Sequence, residues 1–318
     1  MTDKIQKSFA PDPIDSFSPA NSKAIIEYLN TKRALVETAL QQYMPELTEH
    51  IEFHIESMAY SLSAGGKRVR PVLCIAAAEA LGQDMTNLMP IPCALECIHT
   101  YSLIHDDLPA MDNDELRRGK PTNHMVYGEA AAILAGDSLL TFAFELLSHP
   151  SLTGIIAPQN QVRIINTIAQ AAGPMGMAGG QALDIASENK DIPFKTLQFI
   201  HSRKTGALIT ASVQCGALLG NASKARFDAL SDYGRHIGLA FQIVDDLLNV
   251  EGTMEELGKA VGSDADRNKA TYPAFFGVSE TRNKAKETVQ SAIDALSEFD
   301  MKADPLRNLA AYIYARTN

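Results

Sequence analysis

Beyond residue 21 the apolar positions recur mostly at intervals of three and four. Between 223 and 250, Phe227, Leu230, Gly234, Ile237, Phe241, Val244 and Leu248 fall on one continuous face. That is the period of a helix, not the alternation of a strand. Similar spacing predicts helices over about 22–47, 68–82, 91–108, 129–148, 159–178, 194–220 and 281–298, with a short one near 304–316. Glycine and proline clusters punctuate them: AGGKRVRP, LPAMDNDELRRGKPTNH, GPMGMAGG and EGTMEELGKAVGSD. Strand-like alternation is scarce, and no internal repeat or linker divides the chain. The pattern predicts a flexible tail over 1–21 and one all-α domain of about ten helices over 22–318. Middle helices that are apolar nearly all round imply a bundle in which some helices are fully surrounded. The charged loops would then gather at one end.

Composition narrows the function. Of 318 residues, 38 are acidic and 28 basic, a net charge of −10. A nucleic-acid partner usually meets a basic face, so none is expected here. Cys74, Cys93, Cys97 and Cys215 lie in apolar helical contexts without a second zinc-spaced pair. They read as reduced core thiols, which suits the cytoplasm. The stretch MTDKIQKSFAPDPIDSFSPANSK has no apolar signal core. No stretch approaches the ~20 unbroken apolar residues of a membrane span, so stable insertion is not expected.

Two acid clusters stand out. Asp106, Asp107 and Asp112 form DDxxxxD, and Asp245, Asp246 and Asn249 form DDxxN. Both pairs fall near the end of a long apolar helix. Exposed carbonyls make a helix C-terminus negative, so carboxylates there are doubly unfavourable unless a cation binds. All-oxygen, histidine-poor ligands point to Mg²⁺, which takes one or two carboxylates together with substrate phosphates. His105 reads as a packing or supporting group. Opposing bases occur in GGKRVRP (Lys67, Arg68, Arg70), beside the first cluster (Arg117, Arg118), in RKTGAL (Lys204, Thr205) and after the second cluster (Lys259, Lys269). Gly65 and Gly66 would let backbone approach an anion, and the following helix start would face it. No Walker A, dinucleotide or GxSxG motif is present. Pattern alone therefore describes a helical, Mg²⁺-dependent enzyme acting on an apolar diphosphate.

The motifs GGKRVRP, LECIHTYSLIHDDLPAMDNDELRRGKPTNH, AGDSLLTFAF, GGQALDI, RKTGALI, GLAFQIVDDLLNVEG and GKAVGSDADRNKATYPA together resemble the trans-isoprenyl diphosphate synthases, from about Gly65 to Pro273. The resemblance implies the isoprenoid synthase fold, a homodimeric helical bundle around a central cavity. It also implies head-to-tail condensation of isopentenyl diphosphate with an allylic diphosphate, through an allylic carbocation. Carried onto this chain, Asp106, Asp112 and Asp245 would be the Mg²⁺ ligands, with three ions expected per active site. Asp107 and Asp246 would stand beside them. Arg117, Lys204, Gln242, Lys259 and Lys269 would hold the allylic diphosphate, with Lys204, Thr205 and Gln242 near the cation. Gly66, Lys67, Arg70, His99, Arg118 and Phe241 would form the isopentenyl diphosphate site.

In such enzymes an aromatic residue five positions before the first aspartate floors the pocket. Here it is Tyr101, followed by the small Ser102. That suggests (2E,6E)-farnesyl diphosphate, a C15 product; geranylgeranyl diphosphate, C20, is the alternative. On an ideal helix Ser102 lies nearer than Tyr101 to the face of Asp106. Asn249 and Asn113 depart from the family's more frequent aspartates, and Asn249 removes a charge from the second motif. A terpene cyclase lacks support, because its second motif needs Ser or Thr and a later Glu where this chain has Asn249 and Thr253. A non-catalytic subunit of a heteromeric synthase is the remaining alternative, although such subunits usually lose the acidic motifs retained here.

Overall fold

A computed structural model describes residues 19–251 and 270–315. The helices among them are α1 (Pro19–Tyr43), α2 (Glu52–Leu62), α3 (Val69–Glu79), α4 (Pro90–Asp106), α5 (Asn123–Tyr127), α6 (Glu129–Leu147), α7 (Pro158–Ala172), α8 (Met177–Ala186), α9 (Phe194–Ile200), α10 (Ala207–Leu219), α11 (Lys224–Glu251), α12 (Tyr272–Asp294) and α13 (Asp304–Ala315). One small antiparallel hairpin, β1 (Leu116–Arg117) and β2 (Lys120–Pro121), interrupts them. The expected all-helical bundle is the observed architecture.

The differences from the expected pattern have local causes. The run 159–178 is two helices, because Gly173 leaves helical geometry (ψ −162°) and Gly176 does so again (ψ −130°). Helix α2 was not among the expected runs. Its buried apolar residues are only Ile55, Met58 and Leu62, joined by the polar Ser57, while Phe53 is exposed, which obscures the period. Helix α12 begins nine residues before the expected start at 281 and absorbs a kink at Gly277, whose φ of 75° is open to glycine at little cost. The run 194–220 is a continuous rod, but its middle, His201–Gly206, is a π-helix. The segment 252–269, including most of EGTMEELGKAVGSD, lies outside the described residues.

Two apolar clusters hold the bundle. One gathers α4 with α2, α6, α7 and α10; the other gathers α11 with α12 and α13. Helix α3 is buried at every position from Pro71 to Ala78, so it bridges both. Each large aliphatic side chain removed from water there contributes roughly 1.5–3 kcal/mol. Gly216 permits the tight crossing of α10 on α3, since a Cβ there would collide with the Cys74 carbonyl. All four cysteines are buried and unpaired, and burial pushes the Cys74 and Cys215 thiols far up. Among the described residues, Glu129–Leu152 is long and apolar enough to cross a membrane by length and composition. In the bundle, α6 within it packs along α4 and α2.

Candidate active site

Helix α4 ends at Asp106, and Asp107 is its C-cap. Asp107 is buried and clasped by Arg117, whose Nε lies 2.8 and 2.9 Å from the two carboxylate oxygens and whose Nη2 lies 2.5 Å from Oδ1. This two-nitrogen geometry suits guanidinium and carboxylate planes. Asp114 adds a second carboxylate 3.7 Å from Arg117.

Arg117 is carried by the hairpin, which the sequence pattern did not predict. Its turn residues, Arg118 and Gly119, both have positive φ, 55° and 75°. A two-residue turn of that hand matches strand twist, and a glycine in the pair is its sequence signal. The turn sends Arg118 toward the glycine loop before α3, where its Nη1 donates to the Gly65 carbonyl. The guanidinium fills the place a Cβ on Gly66 would take. Gly66 thus serves contact with a neighbouring arginine in addition to its own positive φ of 127°. Tyr60 donates to the Pro121 carbonyl at 2.7 Å and fastens the hairpin to α2.

The GGKRVRP bases divide. Arg68 turns inward: it caps α3 in the left-handed region (φ 48°), pairs with buried Glu96 at 2.6 Å and donates to the Leu62 carbonyl. It is 3% exposed, so it does not grip phosphate as GGKRVRP suggested. Arg70 is half-buried, and burial lowers its pKa to about 10, opposed by Glu96 and Asp245. His99 is held well below the ordinary histidine value by burial and by Arg70, Arg118, Arg117 and Arg68. It is therefore neutral near pH 7. Lys67 is exposed on the same loop.

Across from the first acid cluster lies the π segment. Its Lys204 Nζ is 2.7 Å from Asp184 Oδ2. Burial works against the Lys204 charge, but Asp184, Asp106 and Asp112 outweigh it and raise the pKa. Asp106 is raised to about 6 by burial and by Asp112 and Asp107, with Lys204 and Arg117 opposing. Asp107 is raised by burial despite Arg117. Two glycines allow helices to touch the π segment: a Cβ on Gly180 would strike the Lys204 backbone, and one on Gly238 would strike Gly206. Thr205 is half-buried beside Lys204.

On α11, Phe241, Gln242 and Asp245 are half-buried, while Asp246 and Asn249 are buried. Asp246 Oδ2 accepts the Tyr272 N–H at 2.8 Å and so fastens the start of α12. Its Oδ1 stands 4.0 Å from His201 Nε2, and the His201 ring stacks on Tyr272 at 5.6 Å. Lys259 and Lys269 lie outside the described residues.

Among the described residues, no three His, Cys, Asp or Glu side chains form a ready-made metal cluster. The donor chemistry nevertheless fits a hard cation. The oxygens are carboxylates, and Asp106 is crowded by two others. Asn113 adopts φ 52°, which asparagine tolerates better than most residues. Tyr101 is half-buried with its ring edge-on to His105, and Ser102 Oγ donates to the His99 carbonyl at 2.9 Å.

Several supporting residues escaped the sequence reading. Asp184 and Gln181 lie three apart in GGQALDI, a spacing that places both on one helix face. Gln181 is buried, with no partner for either amide atom. Glu96 and His201 look like ordinary helix residues, and only tertiary contact gives them their roles.

An acid pair at a helix end is thus faced by arginines on a hairpin and a lysine on a π segment, all inside a helical bundle. The pattern of the family described as Polyprenyl synthetase matches residues 52–307, and the chain belongs to that family. It is 46% identical to a farnesyl diphosphate synthase of Geobacillus stearothermophilus, over 92% of this chain and 98% of that protein. It is 47% identical to a geranylgeranyl diphosphate synthase of Cyanophora paradoxa, over 92% and 97%. The crystal structure of an FPP/GFPP synthase from Zymomonas mobilis superposes with a TM-score of 0.82 at 37% identity, covering 92% of this chain and 99% of that one. The protein is a prenyltransferase of isoprenoid biosynthesis.

Proposed function

We propose that this prenyltransferase condenses isopentenyl diphosphate with dimethylallyl and/or geranyl diphosphate and releases (2E,6E)-farnesyl diphosphate. The observation that carries the reading is the convergence of Asp106, Arg117 and Lys204 at the end of α4, where the acids hold Lys204 charged. Such a site suits a diphosphate accompanied by cations. Asp106, Asp112 and Asp245 would hold Mg²⁺, three ions per active site with substrate bound. When bound, the metal supplies positive charge for the departing diphosphate.

Arg117, Lys204, Gln242, Lys259 and Lys269 bind the allylic diphosphate, and the two basic residues of the acid end stabilise charge gathering on the leaving oxygen. Its C–O bond breaks, and the cation forms beside Lys204, Thr205 and Gln242. Gly66, Lys67, Arg70, His99, Arg118 and Phe241 present isopentenyl diphosphate, whose double bond attacks. The departed diphosphate takes the proton. Apolar walls exclude the water that would quench the cation to an alcohol.

Tyr101, with the small Ser102 beside it, limits the product to C15 by flooring the pocket. The geranylgeranyl reading is supported by identities of 46–48% to several geranylgeranyl diphosphate synthases, as high as that to the farnesyl synthase. The domain spans 22–318 after an N-terminal tail, and the protein is a cytoplasmic homodimer. Exposed Met125, Ile133 and Leu134 on α5 and α6 support self-association. Neither nucleic acid nor stable membrane insertion has a role. The test is incubation with Mg²⁺, isopentenyl diphosphate and dimethylallyl diphosphate, followed by mass spectrometry of the dephosphorylated products. A C15 alcohol is expected. A C20 alcohol would refute the Tyr101 floor, and no elongation from either C5 or C10 starters would refute the activity.

A further inference from the structure

Tyr101 does not stand alone. One helical turn on, the His105 ring meets it edge to face, centroids 5.8 Å apart and planes at 75°. That geometry is the favoured one for two aromatic rings. His105 is in turn oriented from α6, where its Nε2 lies 3.1 Å from the Ile133 carbonyl. A carbonyl only accepts, so Nε2 carries the hydrogen and both tautomer and ring direction follow. The Asp137 carboxylate is 3.8 Å from the same nitrogen, too far for a hydrogen bond.

The imidazole has this place because residue 136 is glycine. A Cβ built on Gly136 would lie within 2.5 Å of both Nε2 and Cδ2 of the ring, far inside van der Waals contact. Gly136 lies within α6 and has no positive φ, so its backbone conformation would suit any residue. Space for His105 is the reason on view for glycine in AGDS.

We propose that His105 and Gly136 form a second tier of product-length control, with His105 a positioning residue that holds the Tyr101 ring and Gly136 the slot that admits it. The proposal rests on Tyr101 as the pocket floor. Removing the imidazole frees Tyr101 to swing away from the chain end, so products lengthen. Filling the slot drives the imidazole off the Ile133 carbonyl and against Tyr101, so products shorten.

The experiment measures product ratios at matched conversion of dimethylallyl diphosphate and isopentenyl diphosphate with Mg²⁺, by mass spectrometry. A ratio among products reports pocket depth whatever fraction of the protein is folded. His105→Ala is expected to raise the C20:C15 ratio at least threefold, and Gly136→Ala to raise the C10:C15 ratio at least threefold. Asp137→Asn is expected to keep the parent ratio, because the carbonyl orients the ring. Tyr101→Ala serves as the reference and lengthens products. Lengthening by Tyr101→Ala with an unmoved ratio in His105→Ala overturns the proposal and leaves the floor intact. If His105→Ala does not fold, an unmoved ratio in Gly136→Ala overturns it equally. A shift in Asp137→Asn as large as that in His105→Ala also overturns it. Unchanged length in Tyr101→Ala refutes the floor, and the second tier falls with it.

Discussion

Asp106→Asn should make the metal-free protein more stable while removing its response to cation and diphosphate. Burial, with Asp112 and Asp107 adding repulsion, raises the Asp106 pKa from 3.8 to about 6. A folded-state value above the unfolded one means that the native state prefers the protonated acid. Its contribution to stability is complete below pH 3.8 and is lost as pH rises through about 6. That shift corresponds to roughly 3 kcal/mol between the protonation states, and partial exposure of the carboxylate reduces it to about 1.5–3. Asparagine keeps the shape without the charge. In EDTA at pH 7.5 the variant should therefore melt roughly 3 °C or more above the parent. The two curves should approach one another near pH 4.5. Added Mg²⁺ with inorganic pyrophosphate should stabilise the parent by mass action and the variant much less. Thermal unfolding followed by circular dichroism between pH 4.5 and 8 checks all three. A variant no more stable than the parent at pH 7.5, or an advantage that does not shrink on acidification, refutes the reasoning.

Three further outcomes follow from the same structure. Glu96→Ala removes the close carboxylate partner of the buried Arg68 guanidinium, leaving Glu37 at 3.7 Å. It should cost about 3 kcal/mol in urea unfolding, whereas a loss under 1 kcal/mol would show the pair to be incidental. Gly180→Ala forces a Cβ onto the Lys204 backbone. It should raise KM for the allylic diphosphate and lower kcat together by roughly tenfold or more, read by steady-state kinetics; parent-like kinetics would count against tight packing of α8 on the π segment. EDTA should abolish turnover, and Mg²⁺ should restore it; activity persisting in chelator would remove the basis for carboxylate-held metal.

Much of the bundle was legible because helical burial writes a period into the chain. The face from Phe227 to Leu248 became α11, and the apolar run before Asp106 became α4. Acid motifs were equally legible, since paired carboxylates at an apolar helix end need positive charge nearby, part of which Arg117 supplies to Asp107. The hairpin was less so: a two-residue turn leaves only Gly119 as its mark, and its other positive-φ residue is Arg118, a poor turn former by type. Helix α2 hid for a related reason, having too few buried positions to declare a period.

The chain by itself determined the helical class, the acid pairs and the bases available to oppose them, because those depend on residue type and local spacing. Only the tertiary structure decided how the bases are used. Arg68 and Arg70 are two residues apart, yet one is spent on Glu96 inside the core and the other remains beside His99 near the glycine loop. Arg117 and Arg118 are adjacent, yet one clasps Asp107 and the other reaches Gly65. Charge is a property of the side chain, whereas burial and partner choice depend on segments distant in sequence. Those contacts separate the base that is buried in the core from those that stand at the loops and helix ends.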